Sequence, residues 1–159
     1  MKSLKRWLWL CIMCLGVALS AHAGGLQVGS GITALTLPDQ FEQPVSLDKS
    51  TRTLVFSAER AANTLVSNYF SGKGRGFMQQ HSVIYLADIS AMPGWVTRTF
   101  ALPKMRQLNF SVGLVNTPAL LANLPRKAGH ATIIRLNHGV VQSVDYVANE
   151  AQLAQKLGW

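Results

Sequence analysis

The order of apolar runs in this sequence predicts an α/β fold: a mixed β-sheet flanked by helices, with a β-hairpin ahead of it. Three observations carry this reading. From Thr53 onward, short apolar runs with β-branched members alternate with longer stretches of helical spacing, as in a sheet covered on both faces. Asn137-His138-Gly139 separates two apolar runs near the end, which marks a tight antiparallel hairpin and makes the sheet mixed. Pro38-Asp39-Gln40 separates two shorter runs nearer the start, as a turn would.

Taken in order, residues 24–31 are Gly-rich and polar, a flexible lead-in. Residues 32–37 alternate weakly as a strand, and Pro44-Val45-Ser46-Leu47 returns as a second. Thr53–Ser57 is short, apolar and β-branched, hence a buried strand. Residues 60–70 place Ala61, Leu65, Val66 and Tyr69 near one helical face, and Ser71-Gly72-Lys73-Gly74-Arg75-Gly76 ends that helix. Residues 82–86 form the clearest strand. A second helix spans 93–108, with Pro93 in its first turn and Pro103 expected to kink or split it; Trp95 and Phe100 on this helix are assigned to the core. Residues 110–115 read as a strand and 118–124 as a short helix entered at proline, with 126–129 a loop. Strands at 131–136 and 140–144 flank the hairpin turn. An amphipathic helix at 149–157 closes the chain.

The N-terminus has a different character. Lys2, Lys5 and Arg6 precede an apolar run over residues 7–20, and Ala21-His22-Ala23 is an A-x-A exit. This is the pattern of a secretory signal peptide over residues 1–23, giving a periplasmic or secreted product whose single domain spans 32–159. The run of about 14 residues falls short of the roughly 20 that a membrane span needs. Both cysteines, Cys11 and Cys14, lie within it. The mature chain is then free of thiols, which excludes a disulfide framework, a cysteine nucleophile, a cysteine zinc site and thiol redox chemistry. Three of the 15 basic residues go with the leader, leaving 12 against 7 acids, a net charge of +5. The surplus is thinly spread and not interleaved with aromatics, which argues against a nucleic-acid partner and allows a mild affinity for anionic surfaces.

Three stretches together resemble the thioredoxin-like superfamily, in its peroxiredoxin and periplasmic thiol-reductase branch. Residues 35–47, with Asp39, Val45 and Leu47, are similar to the "D-x-x-G-x-x-v-x-L" hairpin of that branch, with Glu42 where glycine is usual. Leu54-Val55-Phe56-Ser57 resembles its first core strand, and residues 131–139 the strand and turn that follow its cis-proline. The resemblance implies a redox corner at the end of the first core strand. There the chain reads Ser57-Ala58-Glu59-Arg60-Ala61-Ala62-Asn63, without sulfur, and Ala131 stands where the cis-proline would be. It is therefore a degenerate member, lacking both halves of the family's site, and an ordinary trans peptide is expected before Ala131.

Few residues remain as site candidates. At the corner, Glu59 and Arg60 open a helix whose N-terminus favours anions, with Arg60 as a clamp for a small anion or a peptide carboxylate. His130, beside Ala131, could pair with Glu59 as an acid and base. Lys73 and Arg75, among glycines, offer a second anion loop, although they follow a helix instead of opening one, unlike a dinucleotide fingerprint. His81, His130 and His138 lack metal-ligand spacing, and no Gly-x-Ser-x-Gly elbow occurs. The function read from this is an exported, non-catalytic binding or scaffold protein of the bacterial envelope, whose partner is an envelope protein, a peptide or a small anionic ligand. The residue loop 126–130 and the C-terminal Leu157 and Trp159 are further contact candidates. An alternative is a small flavin-dependent oxidoreductase holding FMN or FAD, which would need no thiol; a chaperone-like or inhibitory module is a third. Intact-mass measurement of the exported product is expected to show a chain beginning at Gly24 and blind to thiol reagents; retention of Cys11 or Cys14 would contradict this.

Overall fold

The computed structural model describes residues 25–158; the leader with Cys11 and Cys14, and Trp159, lie outside that range. Strand β3 (Thr53–Ser57) is the centre of the molecule. Its sequence, Thr-Leu-Val-Phe-Ser, is buried at every position, as a strand covered on both faces requires. Strand β4 (Val83–Asp88) pairs with it in parallel and β6 (Ala131–Asn137) antiparallel. Adding β5 (Gly113–Val115) and β7 (Val140–Val147) completes a five-stranded sheet in the order β5-β4-β3-β6-β7. The sheet is thus mixed, and the separate antiparallel hairpin of β1 (Leu35–Pro38) and β2 (Pro44–Leu47) stands beside it.

Alternation along the strands divides the core in two. Val55, Tyr85, Ala87 and Ile133 face helices α1 (Arg60–Ser71) and α5 (Glu150–Leu157), which contribute Val66, Phe70, Leu153 and Leu157. Leu54, Phe56, Leu86 and Ile134 face the other way, onto Leu37 and Leu47 of the hairpin and Leu121 of a 3₁₀ turn at Pro118–Leu121. Each fully buried Leu or Phe in these layers contributes about 2–3 kcal/mol of apolar burial. Gly113 sits where a Cβ would lie 2.5 Å from Leu86 Cδ2, so any larger residue there would push the buried Leu86 side chain aside.

The turn at Asn137-His138-Gly139 is as the residues suggest: His138 and Gly139 take φ of 48° and 81°, the two left-handed positions of a type I′ hairpin. Strand β7 runs three residues beyond the expected end. A bulge shifts the register between Arg135 and Leu136, leaving Gln142 unmatched, so Val141 and Val144 both reach the same core layer.

Other boundaries differ from expectation for identifiable reasons. Strand β5 starts at Gly113 and not at 110, because the side chain of Gln40 takes the backbone of 110–112. The Gln40 amide donates to the Phe110 carbonyl (2.7 Å) and accepts from the Val112 N–H (2.9 Å), while its own carbonyl accepts from Arg106 Nε (2.9 Å). A fully buried glutamine so acts as a one-residue strand. The glycine loop leads into a short helix, α2 (Phe77–Gln80), that the pattern did not announce. Residues 26–32 do not hang free: the N–H groups of Leu26, Gly29 and Ile32 donate to the carbonyls of Asn123, Val141 and Gly139.

The helix expected over 93–108 is continuous over residues 94–105. It comprises α3 (Gly94–Val96), a π turn (Thr97–Ala101) and α4 (Leu102–Met105). Pro103 has no N–H to close an α-helical bond, and the chain answers by widening: the Leu102 N–H donates to the Thr97 carbonyl, five residues back. Trp95 and Phe100, assigned to the core from sequence, are instead 63% and 62% exposed. Met92, Leu102, Met105 and Leu108 are the residues packed inward.

At the hairpin tip, one Asp39 carboxylate oxygen accepts from the Phe41 and Gln43 N–H groups, at 2.7 and 2.9 Å. The turn this builds places Glu42 at φ 64°, a left-handed conformation that costs a non-glycine residue about 1 kcal/mol or more. Glu42→Gly is expected to raise the unfolding free energy by up to about 1 kcal/mol, read as a higher denaturant midpoint at unchanged slope.

Candidate functional site

Strand β3 delivers the chain to the corner. Ser57, its last residue, is buried. Ala58 and Glu59 then turn the chain, Glu59 in an extended conformation as N-cap, and α1 begins at Arg60. The Glu59 side chain does not cap that helix. It reaches across to the loop before β6, where Glu59 Oε2 accepts from the Gly129 N–H at 3.0 Å.

That loop supplies most of the corner. Phe56, Ala58, Glu59, Arg126, Lys127, His130 and Thr132 line a cavity of about 200 Å³. Arg126 is held from three sides. It pairs with Asp88 Oδ2 at 3.0 Å, lies 5.3 Å above the centre of the Phe56 ring, and donates to the Leu121 carbonyl at 3.4 Å. The Asp88 end of the pair is buried while the guanidinium keeps part of its surface in solvent. The Thr132 hydroxyl donates to the Pro125 carbonyl at 2.9 Å, which ties the loop to the strand it enters. Lys127 is exposed at the rim.

Of the residues singled out in the sequence, Glu59 and His130 do share this cavity. They are not the acid and base pair expected: the Glu59 carboxylate takes Gly129, and His130 Nδ1 lies 2.7 Å from the Ala128 carbonyl. Backbone groups one and two residues short of the imidazole offer closer partners, so the pair is displaced. Arg60 is exposed on the first turn of α1 and forms no part of the cavity wall. The positive charge comes from Arg126 and Lys127, some 65 residues away in sequence. The peptide before Ala131 is trans, as is every peptide bond among the described residues.

Lys73 and Arg75 do not form one anion nest. Lys73 Nζ sits 4.7 and 5.5 Å from the ring centres of Tyr69 and Phe77, and its carbonyl accepts from Asn109 Nδ2. Arg75 turns to a separate cavity of about 300 Å³, shared with Phe41, Gln79 and Arg106. Among the described residues no group of three or more His, Cys, Asp or Glu is placed to hold a metal ion. No helix among them is long and apolar enough to cross a membrane.

A polar cluster that sequence reasoning missed lies directly beneath the corner. Ser57 Oγ is 2.7 Å from the Tyr85 hydroxyl, and both reach Asn63 Oδ1 on α1. Two hydroxyl protons are shared among these three contacts, and the Asn63 carbonyl oxygen accepts from both hydroxyls. Ser67 also bonds to the Tyr85 oxygen. The cluster ties β3, β4 and α1 together at the position where the resemblance calls for sulfur. Its only sequence signal was a tyrosine inside the clearest strand.

No family model matches this chain, and no curated protein matches it. Solved structures do. The chain is similar to the peroxidoxin BcpB from Mycobacterium tuberculosis, at 15% identity and a TM-score of 0.57, covering 84% of this chain and 95% of that one. It is similar to the thioredoxin domain of a thiol-disulfide oxidoreductase from Bacteroides vulgatus, at 12% identity and a TM-score of 0.52, covering 83% and 98%. A peroxiredoxin-like protein from Aquifex aeolicus matches at 14% identity and a TM-score of 0.52, covering 84% and 87%. At such identities the likeness is one of fold. The fold is thioredoxin-like.

Burial pushes the Tyr85 phenol up to about 12, opposed by hydrogen bonds from Ser57 and Ser67. Unfolded, it ionises near 10. Below pH 10 both states hold the proton and nothing changes; between 10 and 12 only the folded state keeps it, so stability falls as pH rises through that window. The loss is expected to reach about 3 kcal/mol by pH 12. In an alkaline titration followed by tyrosinate absorbance, part of the signal should appear only with unfolding, and Tyr85→Phe should remove that part.

Proposed function

We propose that this chain is an exported binding protein that keeps the thioredoxin-like frame without its thiol chemistry, and that the corner at the end of β3 holds a small anion or the carboxylate of a peptide or envelope protein. The fold relatives are named for thiol-disulfide exchange and peroxide chemistry, both of which act through a cysteine thiolate. Residues 25–158 contain no cysteine. Export rests on the basic start, the apolar run and the Ala21-His22-Ala23 exit, which also gives the division into a leader of 1–23, a lead-in of 24–31 and a domain of 32–159.

The observation that carries the reading is the open cavity. The corner has no sulfur and is not filled by other side chains, and its wall carries Arg126, Lys127 and His130 beside Glu59. Glu59 is already engaged by the Gly129 N–H, so its charge is partly spent on holding the loop. Arg126 is oriented by Asp88 and the Phe56 ring, which limits the rotamer entropy lost when it takes a ligand. Lys127 supplies the second cation from the rim. An anion of carboxylate or phosphate size meets charge-assisted donors here, and no side chain in the wall is an activated nucleophile.

The test is titration with acetate, inorganic phosphate and a short peptide with a free C-terminal carboxylate, followed by amide NMR. Saturable shifts are expected at Glu59, Lys127, Gly129 and His130. Lys127→Ala should weaken binding about tenfold, and Arg60→Ala should leave it unchanged. Unmoved corner amides with all three probes would overturn the proposal.

A further inference from the structure

The 94–105 helix carries its aromatics on the wrong side for a core element. Its inward contacts are made by Leu102 and Met105, with Met92 and Leu108 just beyond its ends, while Trp95, Arg98, Phe100 and Lys104 are exposed. The π turn makes the outward face what it is. In a regular α-helix residues five apart point about 140° from one another, whereas the wider π turn, which holds Phe100 and follows the turn that holds Trp95, brings residues at that spacing nearer to one face. Trp95 and Phe100 accordingly meet, ring centres 6.3 Å apart and edge to face. Two large aromatics thus form one apolar knob in solvent, although a monomeric surface gains nothing from displaying it.

Charge decides what could cover that knob. Between Asp88 and Asp145 the sequence has six lysines and arginines and no acid. Arg98 lies between the two aromatics in sequence, Lys104 follows on the next turn, and Arg106 at the helix end lines the cavity it shares with Arg75 and Phe41. No carboxylate is available on this helix to neutralise them. Tryptophan and phenylalanine flanked by cations with long apolar stems suit the boundary of a bilayer. There the rings enter the acyl edge and the charges remain among anionic headgroups.

We propose that the outward face of the 94–105 helix binds anionic lipid surfaces, with the Trp95–Phe100 pair inserted at the interface and Arg98 and Lys104 on the headgroups. The face is separate from the corner cavity, and the proposal stands whether or not the corner binds an anion.

The experiment uses the full chain carrying Trp7→Phe, Trp9→Phe and Trp159→Phe, which leaves Trp95 as its one tryptophan. It is mixed with vesicles of phosphatidylglycerol or of phosphatidylcholine, each with brominated acyl chains. Trp95 fluorescence should shift to the blue and be quenched on phosphatidylglycerol alone, and the effect should fade with added salt. Arg98→Gln and Lys104→Gln should each weaken partitioning about fivefold; both side chains are exposed, so the variants retain the fold, checked by circular dichroism. Phe100→Ala should reduce the quenching at equal charge. Trp95 left unquenched on phosphatidylglycerol would overturn the proposal, including the case in which the apolar N-terminal run alone brings the chain to the vesicle. So would quenching that is equal on both lipids or indifferent to Arg98 and Lys104. An acidic protein that protects Trp95 while vesicles do not would overturn it in favour of a protein partner.

Discussion

Strand β3 must be buried on both faces and hydrogen-bonded on both edges at once, and the rest of the molecule follows from meeting that demand. Leu54 and Phe56 face one core layer and Val55 the other, so each face needs its own cover: α1 and α5 on one side, the hairpin and the 3₁₀ turn on the other. The parallel neighbour β4 requires a crossover, which α1 supplies. The antiparallel neighbour β6 arrives from the far end of the chain and brings the residue 126–130 loop with it. Because β3 ends inside the protein, the Ser57 hydroxyl has to be satisfied there, and Asn63 and Tyr85 do so. The shape of the corner is thus a consequence of where the central strand stops.

This explains why a corner without sulfur keeps a definite geometry. The Ser57–Asn63–Tyr85 cluster holds the start of α1 against the sheet from below. The Glu59 contact to Gly129 and the Arg126 contacts to Asp88, Phe56 and Leu121 hold the opposing loop from above. Each of these contacts joins segments distant in sequence, so the cavity between them belongs to the fold as a whole. The anion binding proposed for the corner would rest on this frame. The 94–105 helix packs on the same scaffold. Its inner face is bound to the core, which leaves the conformational adjustment required by Pro103 to be expressed on the outer one.

Much of this was legible in the residues. The β-branched run at Thr53–Ser57, the Asn-His-Gly turn and the Asn149 cap of the last helix act over a few residues, and each element formed as its local chemistry requires. The absence of a glycine at position 42 was also visible, and the left-handed backbone there shows what it costs. Other features were hidden because they depend on partners far away. Gln40 is an ordinary polar residue of a turn until Phe110 and Val112 are placed around its amide. Arg126, and not Arg60, meets the corner because β6 pairs with β3. Trp95 and Phe100 are aromatics of the kind that fill cores, and only the packing of Leu102 and Met105 against the sheet leaves them on the outer side.

From the sequence alone came the alternation of strands and helices, the mixed sheet, the hairpin turns, the thiol-free domain and the place of the corner, because periodicity, turn chemistry and residue inventory are local properties. The tertiary structure decided which cations face the cavity, which polar groups are buried together and which face of the 94–105 helix meets solvent. Those are outcomes of pairing and packing between segments separated by tens of residues, and the energy that selects among them is not written in any one segment.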